Sequence, residues 1–392
     1  MRGVLGTLAA FLVSAGALCA PGAHAQQTAV TFAGVAFSGD SQSSDARFRY
    51  AKAYEAQLQS SGDSGYKRLK ALLQQAPAGH LDVRFEPIAE LKGRDQAVVS
   101  AMVLTSETVS TERFGEVRKV FIQERAQALF FDFKSMTVLR SYPFSFAYID
   151  NLRHDPSPQE IGERVRALFE GANGRPGLYA RYAQALASAS LPQQAPRFLQ
   201  VTKVTFPPDM VDALPTWLKS DHTVYETWAA DQLAEAISSR IGVPVVPYAK
   251  GYAVGGVMSM QVSDGDVWNL KLPSPDYEIS VNFRGLKKVK YGENGAGASW
   301  VYGVLSDVHI EQPLMNTAYL DTPLKNAELK LVPAGQTYVD DFPAYDDTLR
   351  GMFDKLADAV VTGDTKWARS AAGAPDIEAQ LTKTKDLMNL CK

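Results

Sequence analysis

The chain has 392 residues, 46% of them apolar and 10% aromatic, enough to bury sizeable cores, and its length favours two domains. Its 40 Lys and Arg stand against 43 Asp and Glu, a formal charge of −3. So balanced a surface lacks the concentrated basic face that nucleic-acid binding requires, so nucleic acid is excluded as a partner.

The first 25 residues read as an export signal. Arg2 supplies a positive end, and residues 4–18 form an uncharged apolar stretch too short and too rich in Ala and Gly to span a membrane. Ala23-His24-Ala25 sets small residues where a signal peptidase reads them, so cleavage is expected after Ala25, giving a soluble periplasmic protein. Loss of Arg2 takes the formal charge from −3 to −4. A lipid anchor on Cys19 is the rival reading, but Leu18 stands where a lipoprotein signal carries a small residue. No later stretch has the length and apolarity of a transmembrane segment. Cleavage leaves Cys391 as the only cysteine, so an internal disulfide is impossible and a free thiol at a frayed end is expected.

Residues 26–170 read as an α+β domain. An apolar run over 28–37 predicts a buried strand, and Tyr50, Tyr54 and Leu58 line one face of a helix. A second helix is expected near 66–74, then strands at 81–85, 97–109, 116–124 and 127–140. Ser157-Pro158-Gln159-Glu160 is a capping box that opens a helix carrying Ile161, Val165, Leu168 and Phe169. Residues 171–198 read as a linker with an Ala-rich helix over 178–188.

Residues 199–362 replay this order at an offset of roughly 170 to 190 residues, which suggests an internal duplication. A strand over 198–206 precedes a helix near Thr223, with Glu226 completing a capping-box pattern. Strands are expected at 243–247, 267–272, 277–290, 299–311 and 327–332, then a helix through Tyr345, Leu349, Met352, Phe353, Leu356 and Val360. The tail, 363–392, places Ile377, Leu381, Met388 and Cys391 at helical spacing, a stripe expected to dock on its own domain. The fold class is therefore α+β: two similar domains, each an antiparallel sheet packed by helices.

Motifs for chemistry are sparse. His80, His154, His222 and His309 are mutually distant in sequence, with no cysteine at ligand spacing, so no resident metal or other cofactor is expected. No Gly-x-Ser-x-Gly elbow occurs, and Ser64-Gly65-Tyr66-Lys67 has Ser-Lys spacing without a downstream Lys-Thr-Gly. Residues 292–297 suit a hairpin better than a phosphate cradle, and 251–256, beside Tyr248 and Tyr252, suit a loop or the rim of a cleft. The remaining candidate binding residues are Asp264 and Asp266 in one turn and Asp340 and Asp341 before the last helix, with Ca2+ the alternative for such acids. Asp346 or Asp347 is expected to cap that helix. Alternating aromatics at Tyr142, Phe144, Phe146 and Tyr148, and at Trp300 and Tyr302, give strand faces for a helix or a partner.

The opening strand with its turn, residues 32–40, resembles at fold level the small α/β domains of envelope-assembly proteins such as the curli-secretion lipoprotein family. The resemblance implies an envelope-assembly role. The expected function is a periplasmic, non-catalytic module that binds an envelope protein or polymer. The competing expectations are a carboxylate hydrolase and a small-ligand carrier with its site between the domains.

Overall fold

The computed structural model describes residues 28–39, 44–45, 47–75, 79–94, 97–114, 116–191, 196–219, 221–262, 265–334, 336 and 339–392. The export signal expected over 1–25 lies outside them. The fold is α+β, with two sheets packed by helices.

The first unit opens with β1 (Thr28–Ser38), whose Val30, Phe32, Val35 and Phe37 are buried. Helices α1 (Arg49–Ser60) and α2 (Gly65–Gln75) and the short β2 (Leu81–Arg84) lead to three long antiparallel strands, β3 (Val98–Phe114), β4 (Val117–Asp132) and β5 (Thr137–Leu152). The capping box forms as the sequence predicts: Glu160 N donates to Ser157 Oγ, and Ser157 N donates to Glu160, opening α3 (Pro158–Glu170). Next comes α4 (Leu178–Ser188), which is no spacer. Its Leu178, Tyr179, Tyr182 and Leu186 enter the first core beside Phe32, Phe130 and Phe169. Each such ring or aliphatic group contributes about 1.5 to 3 kcal/mol by leaving water.

The second unit runs β6 (Leu199–Thr205), α5 (Pro208–Asp212), α6 (His222–Ala236), α7 (Ala249–Tyr252), then β7 (Ala253–Val254), β8 (Val257–Val262) and β9 (Val267–Lys271). Long strands β10 (Tyr277–Asn294), β11 (Gly297–Gln312) and β12 (Thr317–Pro333) follow, then α8 (Phe342–Thr362), α9 (Lys366–Ala371) and α10 (Ile377–Leu390). The second sheet has the order β12-β11-β10-β6, with β6 parallel to β10. Within the first sheet, β5-β4-β3-β1 repeats that order, with β1 parallel to β3.

Six irregularities in the ladders fall at three matching places, and a seventh, at Tyr291 in β10, has no counterpart in β3. The extra residue is Ala33 in β1 and Thr202 in β6, Thr105 in β3 and Arg284 in β10, Leu139 in β5 and Tyr319 in β12. Each bulge sets the strand twist and the facing of the side chains beyond it. Position by position, the cross-strand pair Glu107 and Glu124 therefore corresponds to Leu286 and Val304, and Arg125 and Ser145 correspond to Leu305 and Lys325.

One hairpin breaks the symmetry. β8 pairs with β1 and with β9, and β9 meets β5 at Thr137, so a hairpin from the second half of the chain closes the first sheet on itself. Met258, Met260, Val262 and Leu270 fill the interior against Val99, Ala101, Leu129 and Phe131. The corresponding face of the second sheet carries Glu278, Ser280, His309 and Glu311, polar groups that suit a surface no hairpin covers.

Several expectations change. The strands expected at 116–124 and 127–140 are one strand, β4, followed by a turn; β5 takes up the aromatic run, with Tyr142 and Phe144 buried and Tyr148 exposed. Strand β8 falls beside what read as a loop. Helix α6 is capped by Asp221, which accepts from Thr223 N, so Thr223 is not the cap. The tail helix α10 docks on the second core through Ile377, Leu381, Leu387 and Met388. Cys391 is not at a frayed end: it is fully buried there, and burial pushes its thiol up to about 12.

Candidate functional site at the junction of the two units

Beyond Leu104, β3 parts from β1 and keeps only β4 as a neighbour among the described residues, so one edge of the strand is unpaired from Thr105 onward. The bulge at Thr105 starts this stretch, and its carbonyl accepts from Arg47 Nη2 at 2.7 Å and from Ser38 Oγ at 3.3 Å. Glu107 then reaches the start of α1, where Tyr50 N and Ala51 N donate to its carboxylate at 2.9 and 2.6 Å. α1 has no side-chain cap of its own, so this carboxylate satisfies its first amides and complements the positive end of the helix.

Glu124 lies directly across from Glu107 on β4 and is fully buried. Neither of its carboxyl oxygens receives a hydrogen bond among the described residues. An ionised group there would have no donor. Protonated, it donates to Glu107, and burial first, then the Glu107 charge, holds its pKa well above the usual carboxylate range. Glu107 is also raised by burial, with its bonds from Tyr50, Ala51 and Glu124 pulling the other way.

On the opposite face of β4, Arg125 points toward α6. Its Nη1 reaches Glu235 at 3.5 Å, and Glu235 also accepts from Ser145 N at 3.0 Å and Ser145 Oγ at 2.7 Å. Arg125 Nε donates to Gln123 at 3.3 Å, while Nη2 is buried with no acceptor. Thr227 Oγ1 on α6 is likewise buried without a partner. Gly251 in α7 sits so close that a Cβ there would come within 2.1 Å of that oxygen, so only glycine lets the two helices meet. Phe121 stacks on Trp217 at 6.3 Å and closes one end.

Between these walls lies a cleft of about 540 Å³, bounded by the free edge of β3 on one side and α6 with Trp217 and Trp228 on the other. The unpaired guanidinium nitrogen and the threonine hydroxyl belong to residues that line it. Such a site offers a strand edge and polar side chains to a ligand.

The acids singled out in the sequence do not converge here. Asp340 pairs with Lys119 of the first unit and accepts from Phe342 N at 3.1 Å, while Asp341 accepts from Lys288 Nζ at 2.8 Å and Tyr302 Oη at 2.6 Å. Asp340 thus takes the start of α8, and neither Asp346 nor Asp347 caps it: Asp346 is half-buried and accepts from Gln232 at 2.9 Å, and Asp347 pairs with Lys330 at 2.9 Å. Asp266 is exposed, and Asp264 lies outside the described residues. Tyr248 is buried and donates to Glu226 at 2.9 Å; the side chain of Tyr252 is outside the description. Lys67 Nζ donates to Gly62 O while Ser64 Oγ caps Lys67 N, so these two form no Ser-Lys dyad. Among the described residues, no three His, Cys, Asp or Glu side chains are grouped to hold a metal ion.

The residues that build the cleft, Glu107, Gln123, Arg125, Trp217 and Thr227, went unnoticed in the sequence. The available signal was a polar triplet, Gln123-Glu124-Arg125, set between the apolar runs Val120-Phe121-Ile122 and Leu129-Phe130-Phe131 of one strand.

No family model matches the sequence, and no curated protein does. Among solved structures, it is similar to a minor lipoprotein from Acinetobacter baumannii, with 10% identity and a TM-score of 0.21, covering 46% of this chain and 98% of that one. No helix among the described residues is long and apolar enough to cross a membrane.

Proposed function

We propose that the chain is a non-catalytic binding protein of the cell envelope, exported and cleaved after Ala25, that takes an extended segment of another polypeptide into the junction cleft. The observation that carries this reading is the free edge of β3, whose residues from Thr105 to Val109 line the cleft. A strand laid along that edge gains backbone hydrogen bonds, while the cleft reads alternate side chains. The carboxylate pair supports a structural role over hydrolysis, since Glu124 is sealed from solvent and Glu107 is engaged by α1.

The test is selection of a random decapeptide library on the mature protein and on Val224→Trp. Val224 is 38% exposed on the cleft wall, so added bulk there fills the cleft without entering the core. Enriched peptides should bind the variant at least tenfold more weakly; equal binding rejects the cleft as the site. Amino-terminal sequencing of the exported protein should begin at Gln26, and a lipid-modified Cys19 at the terminus would refute the cleavage reading.

A further inference from the structure

The correspondence between the two sheets identifies a second surface. On the first sheet, Phe121, Arg125 and Ser145 form a platform on which α6 and its lead-in rest, through Trp217 stacked on Phe121 and Glu235 held by Arg125 and Ser145. The matching bulges place Val301, Leu305 and Lys325 at those same positions of the second sheet, with Gly303 where the first has Gln123. There the platform is bare. Val289, Leu329 and Leu331 are 57%, 57% and 58% exposed, and a cleft of about 460 Å³ lies over Val289, Val301, Gly303 and Leu305, bordered by Trp367 of α9. An apolar patch flanked by charge on a sheet face marks an interaction site.

Two features say what fits. The helix on the first platform is acidic: α6 carries Glu226, Asp231 and Glu235 and no Lys or Arg, and it meets the platform through Glu235 and an arginine. The second platform is basic, with Lys287 and Lys325 beside the apolar strip and no carboxylate paired with either among the described residues. We propose that this face docks an acidic amphipathic helix of another protein, seated as α6 is on the first sheet, with apolar residues over Val301 and Leu329 and carboxylates against Lys287 and Lys325.

The test titrates the full chain with a fluorescent helical peptide bearing leucines at i, i+3, i+4 and i+7 and flanking glutamates, and with a copy in which lysines replace the glutamates. The acidic peptide should bind at least tenfold more tightly than the basic one, weaken with added salt, and lose at least tenfold in Leu329→Asp and in the Lys287→Glu, Lys325→Glu double variant. Lysine acetylation read by mass spectrometry on the unsubstituted protein should show Lys287 and Lys325 protected by the peptide, a readout independent of how the variants fold. Equal binding of both peptides, or no protection of those lysines, overturns the proposal. So does a dimer of the chain alone, or binding to anionic vesicles, that Leu329→Asp abolishes, because either assigns the face to a different occupant.

Discussion

Replacing Glu124 with glutamine tests the reading of the buried acid pair. Glutamine keeps the shape and the donor to Glu107 but cannot ionise. The native protein holds the Glu124 proton well above its ordinary value of 4.5, so between that value and its folded pKa the native state binds more protons than the unfolded chain. Stability contributed by the protonated acid is therefore full below 4.5 and is lost as pH rises toward the folded pKa, at about 1.4 kcal/mol per pH unit. Glu124→Gln escapes that loss. Its advantage over the parent should be near zero at pH 4 and grow as pH rises above 4.5. Urea unfolding at pH 4 to 8, followed by hydrogen exchange of β3 and β4 amides, measures the first unit specifically. Parallel pH profiles for the two proteins would refute a neutral Glu124.

The other predictions probe the same frame. Glu107→Gln should weaken the start of α1 by about 1 kcal/mol and lower the pKa of Glu124, visible as a smaller pH slope in that protein. Arg125→Ala should destabilise the chain by about 1 to 3 kcal/mol, because it removes a buried guanidinium from its packing and leaves the part-buried Glu235 without its cation; the Arg125→Ala, Glu235→Gln double variant should recover part of that in denaturant melts. Met260→Ala should cost about 2 to 5 kcal/mol by opening a cavity where β8 closes the first sheet, and proteolysis should then cut near residues 257–271 first. Cys391 should resist alkylation at pH 8 until the second unit unfolds, since it is fully buried and its thiol titrates near 12.

The sequence made the helices readable, and α4 falls at the bounds its Ala-rich pattern predicts, because one-sided apolar spacing and the Ser157 cap are local signals. The role of α4 was hidden, because whether Tyr182 faces a core or solvent depends on where Phe32 and Ser100 arrive from elsewhere in the chain. The strand reading broke at residues 124–127, where a run of polar and charged side chains looks like a turn. That break coincides with the cleft. Arg125 is buried because Glu235 arrives from α6, itself held by Ser145 of β5, and Glu124 because it lies across from Glu107, which α1 engages; partners from distant segments are the usual reason local rules fail at a site. The acids before α8 erred in the opposite sense: they cluster in sequence, yet Lys119 and Lys288 draw Asp340 and Asp341 to separate anchors.

The hairpin that closes the first sheet also bears on the order in which the chain becomes native. A protein that emerges amino end first completes all of β1 to β5 well before β8 and β9 exist. Until then Val99, Ala101, Leu129 and Phe131 lack Met258, Met260, Val262 and Leu270, which cover them in the finished fold. The first half is therefore an unfinished template whose stickiest surface waits for its own downstream sequence. A chain truncated after α4 should need a holdase, or aggregate, even though every helix and long strand of its core is present.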